Sequence, residues 1–289
     1  MMQHEIKSFI ACDADFDEAR AVIFGAPFDS TTSFRPGTRF GPAAIRNESF
    51  GIETYSPYQD KDLTDIKVFD SGDLELRFGS PVSALDDIQA HTKEILDAGK
   101  LPVMLGGEHL VTLGAFRAVT EKYGTDVHII QFDAHTDLRE DYLGEPLSHA
   151  CVIRRCHDIV GDGHIWQFGI RSGERYEFEF AREHGHIYPT GLEGVRFDAV
   201  DDCVKALAGK KVYLTIDLDV LDPSVFPGTG TPEAGGATFN QLLSAIMKIG
   251  SLDIVGMDIN ELSPHYDHSG ASTAMACKIL RELLLAVLG

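Results

Sequence analysis

Short apolar runs recur along the chain: Ala21–Phe24, Ile66–Phe69, Leu101–Leu105, Val127–Phe132, His164–Phe168, Val212–Ile216 and Asp253–Met257. Several are continuous rather than alternating, the pattern of strands buried on both faces of a parallel sheet. Amphipathic segments lie between them. Ser83 stands where it can cap a helix that carries Leu85, Ile88, Ile95 and Leu96 on one face. The last segment spaces Met275, Ile279, Leu283 and Val287 four apart, with Lys278, Arg281 and Glu282 pointing elsewhere. Alternating strand and helix patterns predict a parallel sheet with helices on both faces. Repeats and low-complexity tracts are absent, and the stretch 222–236, DPSVFPGTGTPEAGG, reads as a shaped loop rather than a linker. The expectation is one domain over residues 1–289.

Composition narrows the function classes. A chain of 289 residues with 44% apolar and 24% charged positions suits a globular α/β domain. The 25 Lys+Arg against 45 Asp+Glu give a net charge of −20, which repels nucleic acids and anionic membranes and favours small cations and metal ions. No apolar run approaches the 18 residues of a membrane span, and the first residues lack a leader pattern. Five cysteines, odd in number, scattered and without CxxC, suggest reduced thiols in a cytoplasmic protein. Cys151 and Cys156 read as space-filling.

Three predicted strands lead straight into polar, potentially metal-binding residues. LPVMLGGEH ends at His109; VHIIQFDAHTD places Asp133, His135 and Asp137 at i, i+2 and i+4; VYLTIDLDVLDP places Asp217 and Asp219 at i and i+2. Residues two apart on a strand share a face, so each cluster converges by backbone geometry. GGEH alone can be a tight turn, and DLD alone a turn with exposed caps. DAHTD is different, because three ionisable groups following a buried run are costly unless they bind something. Four carboxylates and two imidazoles without sulfur suit Mn²⁺ or a similar divalent ion rather than a structural zinc. Two ions explain the count, with Asp133 and Asp217 able to bridge. Such a centre generates a nucleophile at neutral pH by acidifying bound water, and it prefers a cationic substrate.

Read in order, TSFRPGTRFGPAAIR (32–46), GGEH (106–109), FDAHTDLR (132–139), SHA (148–150), FGIRSG (168–173), TIDLDVLDPSVFPGTGTPEAGG (215–236) and DINELSP (258–264) resemble the ureohydrolase family of arginases and agmatinases, most closely its agmatinase branch. The resemblance implies a three-layer α/β/α sandwich with a mainly parallel eight-stranded sheet. It also implies a homo-oligomer, trimer or hexamer, and manganese-dependent hydrolysis of a guanidino group to urea and an amine. It implies two Mn²⁺ ions, one held by His109, Asp133, Asp137 and Asp217, the other by His135, Asp133, Asp217 and Asp219. Glu261 would hold the guanidinium, Asp137 would take the proton of the attacking hydroxide and pass it to the leaving amine, and His149 would shuttle protons at the mouth. Thr231 and Glu233 match the family's substrate-side loop. Agmatine is the expected substrate, with guanidinobutyrate and arginine as alternatives.

Three further readings bear on specificity and class. The loop after the metal motif offers Glu140, Asp141 and Glu145 as acids at the mouth, and it carries Arg139 where the arginase pattern has an Asn for a substrate carboxylate. Arg35 and Arg39 precede a predicted helix in a structural or inter-subunit loop near the site. A deacetylase on the same architecture would want a single zinc site and histidine-rich surroundings, and a non-catalytic scaffold would lack a ligand or a proton-transfer residue. Neither pattern is met.

Overall fold

The computed structural model describes residues 8–77 and 79–289. In chain order the elements are β1 (Ala21–Ala26), α1 (Gly41–Glu48), β2 (Tyr55–Ser56), β3 (Lys61–Asp62), β4 (Val68–Asp73), α2 (Pro81–Asp97), β5 (Leu101–Gly106), α3 (Val111–Tyr123) and β6 (Val127–Phe132). There follow α4 (Val152–Val160), β7 (Ile165–Phe168), α5 (Arg175–His184), β8 (His186–Tyr188), α6 (Val200–Ala206), β9 (Lys211–Asp217), α7 (Phe239–Ile249), β10 (Asp253–Asn260) and α8 (Ala271–Leu288). Eight strands form one sheet in the order β4-β1-β5-β10-β9-β6-β7-β8, and every pairing in it is parallel. The tiny β2–β3 hairpin is separate and antiparallel.

The continuous apolar runs have their physical reason in this arrangement. Central strands are buried on both faces, and each face carries its own core. Ile45 of α1, Val200 of α6, Leu242 of α7 and Leu280 of α8 pack on one side. Leu85 of α2, Phe116 of α3, Ile153 of α4 and Ala181 of α5 pack on the other. These two cores bounding one sheet make the expected three-layer sandwich.

The structure differs from the sequence reading in four places. The α2 cap is Ser80, not Ser83: its Oγ accepts the Ser83 N–H, because Pro81 at the first helical position has no N–H and a preset φ. The run at Ile66 starts two residues early, since Ile66 closes a 3₁₀ turn and β4 begins at Val68. Edge strand β8 is three half-buried residues, too short and too polar to announce itself. Finally, Arg281 and Glu282, read only as pointing away from the apolar stripe, are buried. They pair with each other, while Glu282 accepts from Ser56 and Gln59, and Arg281 donates to the Glu53 carbonyl, so α8 is covered on that side by the β2–β3 segment.

Candidate active site

The four central strands β5, β10, β9 and β6 end side by side, and the chemistry-bearing residues follow directly from them. His109 follows β5, Glu261 follows β10, Asp217 ends β9 with Asp219 in the next turn, and Asp133, His135 and Asp137 follow β6. This is the carboxyl edge at which open α/β sheets bind ligands. Two of these residues take a left-handed backbone, Asp137 at φ 52° and Glu261 at φ 66°. Such conformations cost about 1–3 kcal/mol for a non-glycine residue and persist where surrounding contacts over-determine them.

All six sequence-predicted ligands meet. His109 Nδ1 lies 3.0 Å from Asp133 Oδ2, 2.9 Å from Asp137 Oδ2 and 3.6 Å from Asp217 Oδ2. His135 Nδ1 lies 2.9 Å from Asp219 Oδ2 and 3.6 Å from Asp133 Oδ1. Asp133 therefore belongs to both halves of the cluster. Backbone donors fix the carboxylates: the Ala134 N–H binds Asp219 Oδ1 at 3.0 Å and the Asp219 N–H binds Asp217 Oδ1 at 2.9 Å.

Hydrogen bonding outside the cluster decides which nitrogen of His109 is free. The single hydroxyl proton of Thr215 goes to Asp258 Oδ1 at 2.6 Å, so at 2.8 Å it accepts from His109 Nε2. Nε2 thus carries a proton, and Nδ1 is the ring atom turned to the three carboxylate oxygens, where burial is outweighed by Asp133 and Asp137, which raise the imidazole well above its usual range. A divalent ion among these oxygens would take the place of the Nδ1 proton. Asp258 is itself fully buried, and Tyr213 and Asn260 also donate to it.

The charge balance says the same. Four buried carboxylates converge, and among the described residues none pairs with a Lys or Arg. Burial, then the neighbouring acids, pushes Asp217 well above the usual carboxylate range and Asp137 up to about 7. In Asp133 burial is outweighed by the His109 and His135 imidazoles, which hold it low. A donor set of carboxylate oxygens and imidazole nitrogens without sulfur fits a pair of divalent ions.

Glu261 is buried, accepts the His109 N–H at Oε1 (2.8 Å), and is raised well above the usual range by burial and by Glu108. The site opens into a cavity of about 340 Å³ lined by His135, Asp137, Arg139, His149, Glu177 and Thr231, among others. His149 is half-buried at its wall, with Nε2 3.0 Å from Ser33 Oγ; burial and the nearby His135 and His109 lower it to about 4. Thr231 donates to Asp219 Oδ2 at 3.3 Å. Glu233 does not line the cavity. Its carbonyl accepts from Arg171 and its carboxylate from Ser172.

The mouth acids differ from the sequence expectation. Glu140 pairs with Arg154, Asp141 caps the Gly144 N–H, and Glu145 accepts the Leu147 N–H; none of the three lines this cavity. Besides Asp137, the acids that do are Glu174 and Glu177, brought in by the start of α5, and they flank Arg139 at 3.5 and 3.6 Å.

Several supporting residues escaped the sequence reading. Glu108 is held by Thr31 and Thr32, which fastens the loop carrying Ser33. Arg171 clamps the carbonyls of Asp219 and Glu233. Both lie inside motifs already singled out, GGEH and FGIRSG, but only their partners reveal what they do. Of the two arginines in the 32–46 motif, Arg39 pairs with Asp29, and the Arg35 carbonyl lies against Gly230, whose neighbour is Glu261.

The arginase family matches residues 19–286 of this chain. The agmatinase of Bacillus cereus is 48% identical over 284 residues, 96% of each chain. That of Bacillus subtilis (strain 168) is 47% identical over 282 residues, again 96% of each. The structure of the agmatine ureohydrolase of Thermoplasma volcanium superposes with a TM-score of 0.87 at 33% identity, covering 97% of this chain and 94% of that one.

Proposed function

The chain belongs to the arginase family, and from that premise we propose that it is an agmatinase, converting agmatine and water to putrescine and urea. The observation that carries this reading is the buried cluster of four carboxylates and two imidazoles without a Lys or Arg partner, opening into a cavity whose arginine is already flanked by Glu174 and Glu177. A cationic guanidine suits such a place, and a substrate carboxylate does not. Near-full-length similarity to agmatinases supports the same substrate.

In this reading His109, Asp133, Asp137 and Asp217 hold one Mn²⁺, and His135, Asp133, Asp217 and Asp219 the other. Bound there, the two ions supply a nucleophile at neutral pH by lowering the pKa of water. Glu261, with Oε1 committed to the His109 N–H, offers Oε2 to the guanidinium, which stays protonated at neutral pH, and orients its carbon. Asp137, on the cavity wall, takes the proton of the attacking water on its carboxylate and returns it to the nitrogen that leaves as the primary amine. His149 relays protons between that carboxylate and solvent, steadied by Ser33. Thr231 holds Asp219 in place, and Glu233 shapes the loop behind it.

The reading extends to a cytoplasmic homo-oligomer, trimer or hexamer, serving polyamine synthesis. The exposed rings of Phe34 and Phe50 support a subunit contact, and no described helix is long and apolar enough to cross a membrane. Urea release with Mn²⁺, measured side by side on agmatine, arginine and guanidinobutyrate, tests the substrate. Agmatine should lead by at least about tenfold in kcat/KM, roughly 1.4 kcal/mol. Arginine or guanidinobutyrate hydrolysed as well would overturn the assignment.

A further inference from the structure

The rim opposite the active site, at the amino ends of the strands, carries a second meeting of metal-ligating side chains. Asp126 and His128 stand at the start of β6, and His164 immediately precedes β7. Asp126 Oδ1 lies 3.6 Å from His164 Nε2 and 4.0 Å from His128 Nε2, and the two rings stack obliquely with centroids 4.6 Å apart. These separations are too long for hydrogen bonds. They are close to the spacing of donors around a shared ion, about 3.3 Å between ligands for tetrahedral bonds of about 2.0–2.1 Å.

The ring nitrogens are already arranged for such an ion. His164 Nδ1 lies 2.9 Å from the Asp162 carbonyl. A carbonyl can only accept, so Nδ1 carries the proton and the Nε2 lone pair faces the cluster, the orientation that metal-binding histidines owe to a backbone partner. The His128 ring is largely buried, and its Nδ1 has no partner. Its Nε2 lies 4.0 Å from Asp126 Oδ1 and makes no hydrogen bond to a described residue. Burial and the neighbouring His164 lower its pKa to about 4, so the ring is neutral and available at pH 7. Lys210 grips Asp126 chiefly at Oδ2 (2.9 Å against 3.2 Å at Oδ1), and Oδ1 is the oxygen turned to the imidazoles. Asp126 is mostly exposed, so water can complete the coordination.

We propose that Asp126, His128 and His164 form a second metal site, for a single divalent ion of the zinc class, which ties β6 to β7 at the end of the sheet remote from catalysis. Two imidazoles and one carboxylate select zinc-like ions, whereas the carboxylate-rich active site suits manganese. A nearby trio provides a control. His157 and His184 lie 2.9 and 3.1 Å from one oxygen of Asp162, ordinary hydrogen-bond distances at which the carboxylate oxygen is already engaged by both rings.

The test is a metal count. Full-length protein is equilibrated with Mn²⁺, then dialysed against low micromolar Zn²⁺, and manganese and zinc are measured separately. The expected result is one zinc per chain with the manganese count unchanged. His164→Gln and Asp126→Asn should bind zinc at least about 100-fold more weakly, a larger loss than the 10–100-fold typical of removing an outer partner. Both positions are partly exposed, so folding should survive, and agmatine hydrolysis in the zinc-free variants checks that it has. His184→Gln should bind zinc normally. Zinc that enters only as manganese leaves, zinc retained by both rim variants, zinc lost in His184→Gln, or no zinc uptake by the unaltered chain would each overturn the proposal. The count does not depend on the substrate, so it stands or falls separately from the agmatinase reading.

Discussion

At the scale of single residues, a carboxylate proposed to bridge two ions should behave differently from a proposed ligand of one. Asp217→Ala should lose both metals and turnover together. His135→Ala should weaken mainly one ion, by about 10–100-fold or more, judged against the effect of removing an outer partner. Metal analysis of the purified variants decides this, and full two-metal occupancy in Asp217→Ala would remove Asp217 from the bridging role. Thr215 supplies a subtler case, because it is not a proposed ligand yet accepts from His109 Nε2 while donating to Asp258. Thr215→Val keeps the shape and deletes the acceptor. It should lower metal affinity by about 10–100-fold, seen as a shifted Mn²⁺ activation curve with kcat recovered at high Mn²⁺. A curve that does not move would make Thr215 a packing residue only. The six proposed ligands were legible in the sequence because each stands at or directly after the end of a buried apolar run; strand alternation is not what gathers them, since Asp133, His135 and Asp137 lie beyond β6 and Asp219 in the turn after β9. Thr215, Asp258 and Arg171 were not, because their roles depend on residues more than 40 positions away that only the strand order brings close.

At the scale of elements, the passage from β5 into the site is the tightest point. Gly107 lies so near the preceding loop that a Cβ there would sit 1.8 Å from the Phe28 carbonyl oxygen. The Gly107 N–H binds the Ala26 carbonyl, and the next N–H, of Glu108, binds that of Phe28, so the strand end is stitched to the chain beyond β1. Gly107→Ala must push this backbone outward, and His109 two residues on moves with it. The expected outcome is a chain whose melting temperature falls by several degrees and whose Mn²⁺ affinity falls with it, measured by thermal melts with and without metal. Unchanged affinity would mean that the clash relaxes toward Phe28 rather than into the site. Elements were readable where burial is two-sided, as in β5, β6 and β9. They were not readable where an edge is short, as in β8, or where a charged pair is buried, as Arg281–Glu282 is against the β2–β3 segment.

At the scale of the whole molecule, the net charge of −20 sets how substrate is gathered. Agmatine carries a guanidinium and an ammonium, for a charge of +2, whereas the carboxylate of arginine leaves it at +1. The field of an acidic protein, sharpened at the mouth by Glu174 and Glu177, attracts the dication more strongly, and the interaction is screened as the Debye length shrinks from about 30 Å at 0.01 M salt to about 8 Å at 0.15 M. With Mn²⁺ held saturating, kcat/KM for agmatine should therefore fall as KCl is raised across that range, and more steeply than kcat/KM for whatever residual arginine hydrolysis is measurable. The kcat for agmatine should stay nearly constant, because charge at the mouth acts on capture and retention rather than on bond breaking. Charge reversal of the exposed Glu174 to Lys should flatten the agmatine slope without changing the metal count, since Glu174 pairs with Arg139 and touches no ligand. Equal salt slopes for the two substrates would locate the preference inside the cavity, in the contacts around the amine tail, and not in the field of the molecule. A kcat that declines in parallel with kcat/KM would instead point to salt weakening the metal cluster, which the Mn²⁺ activation curve measured at each ionic strength separates from loss of steering.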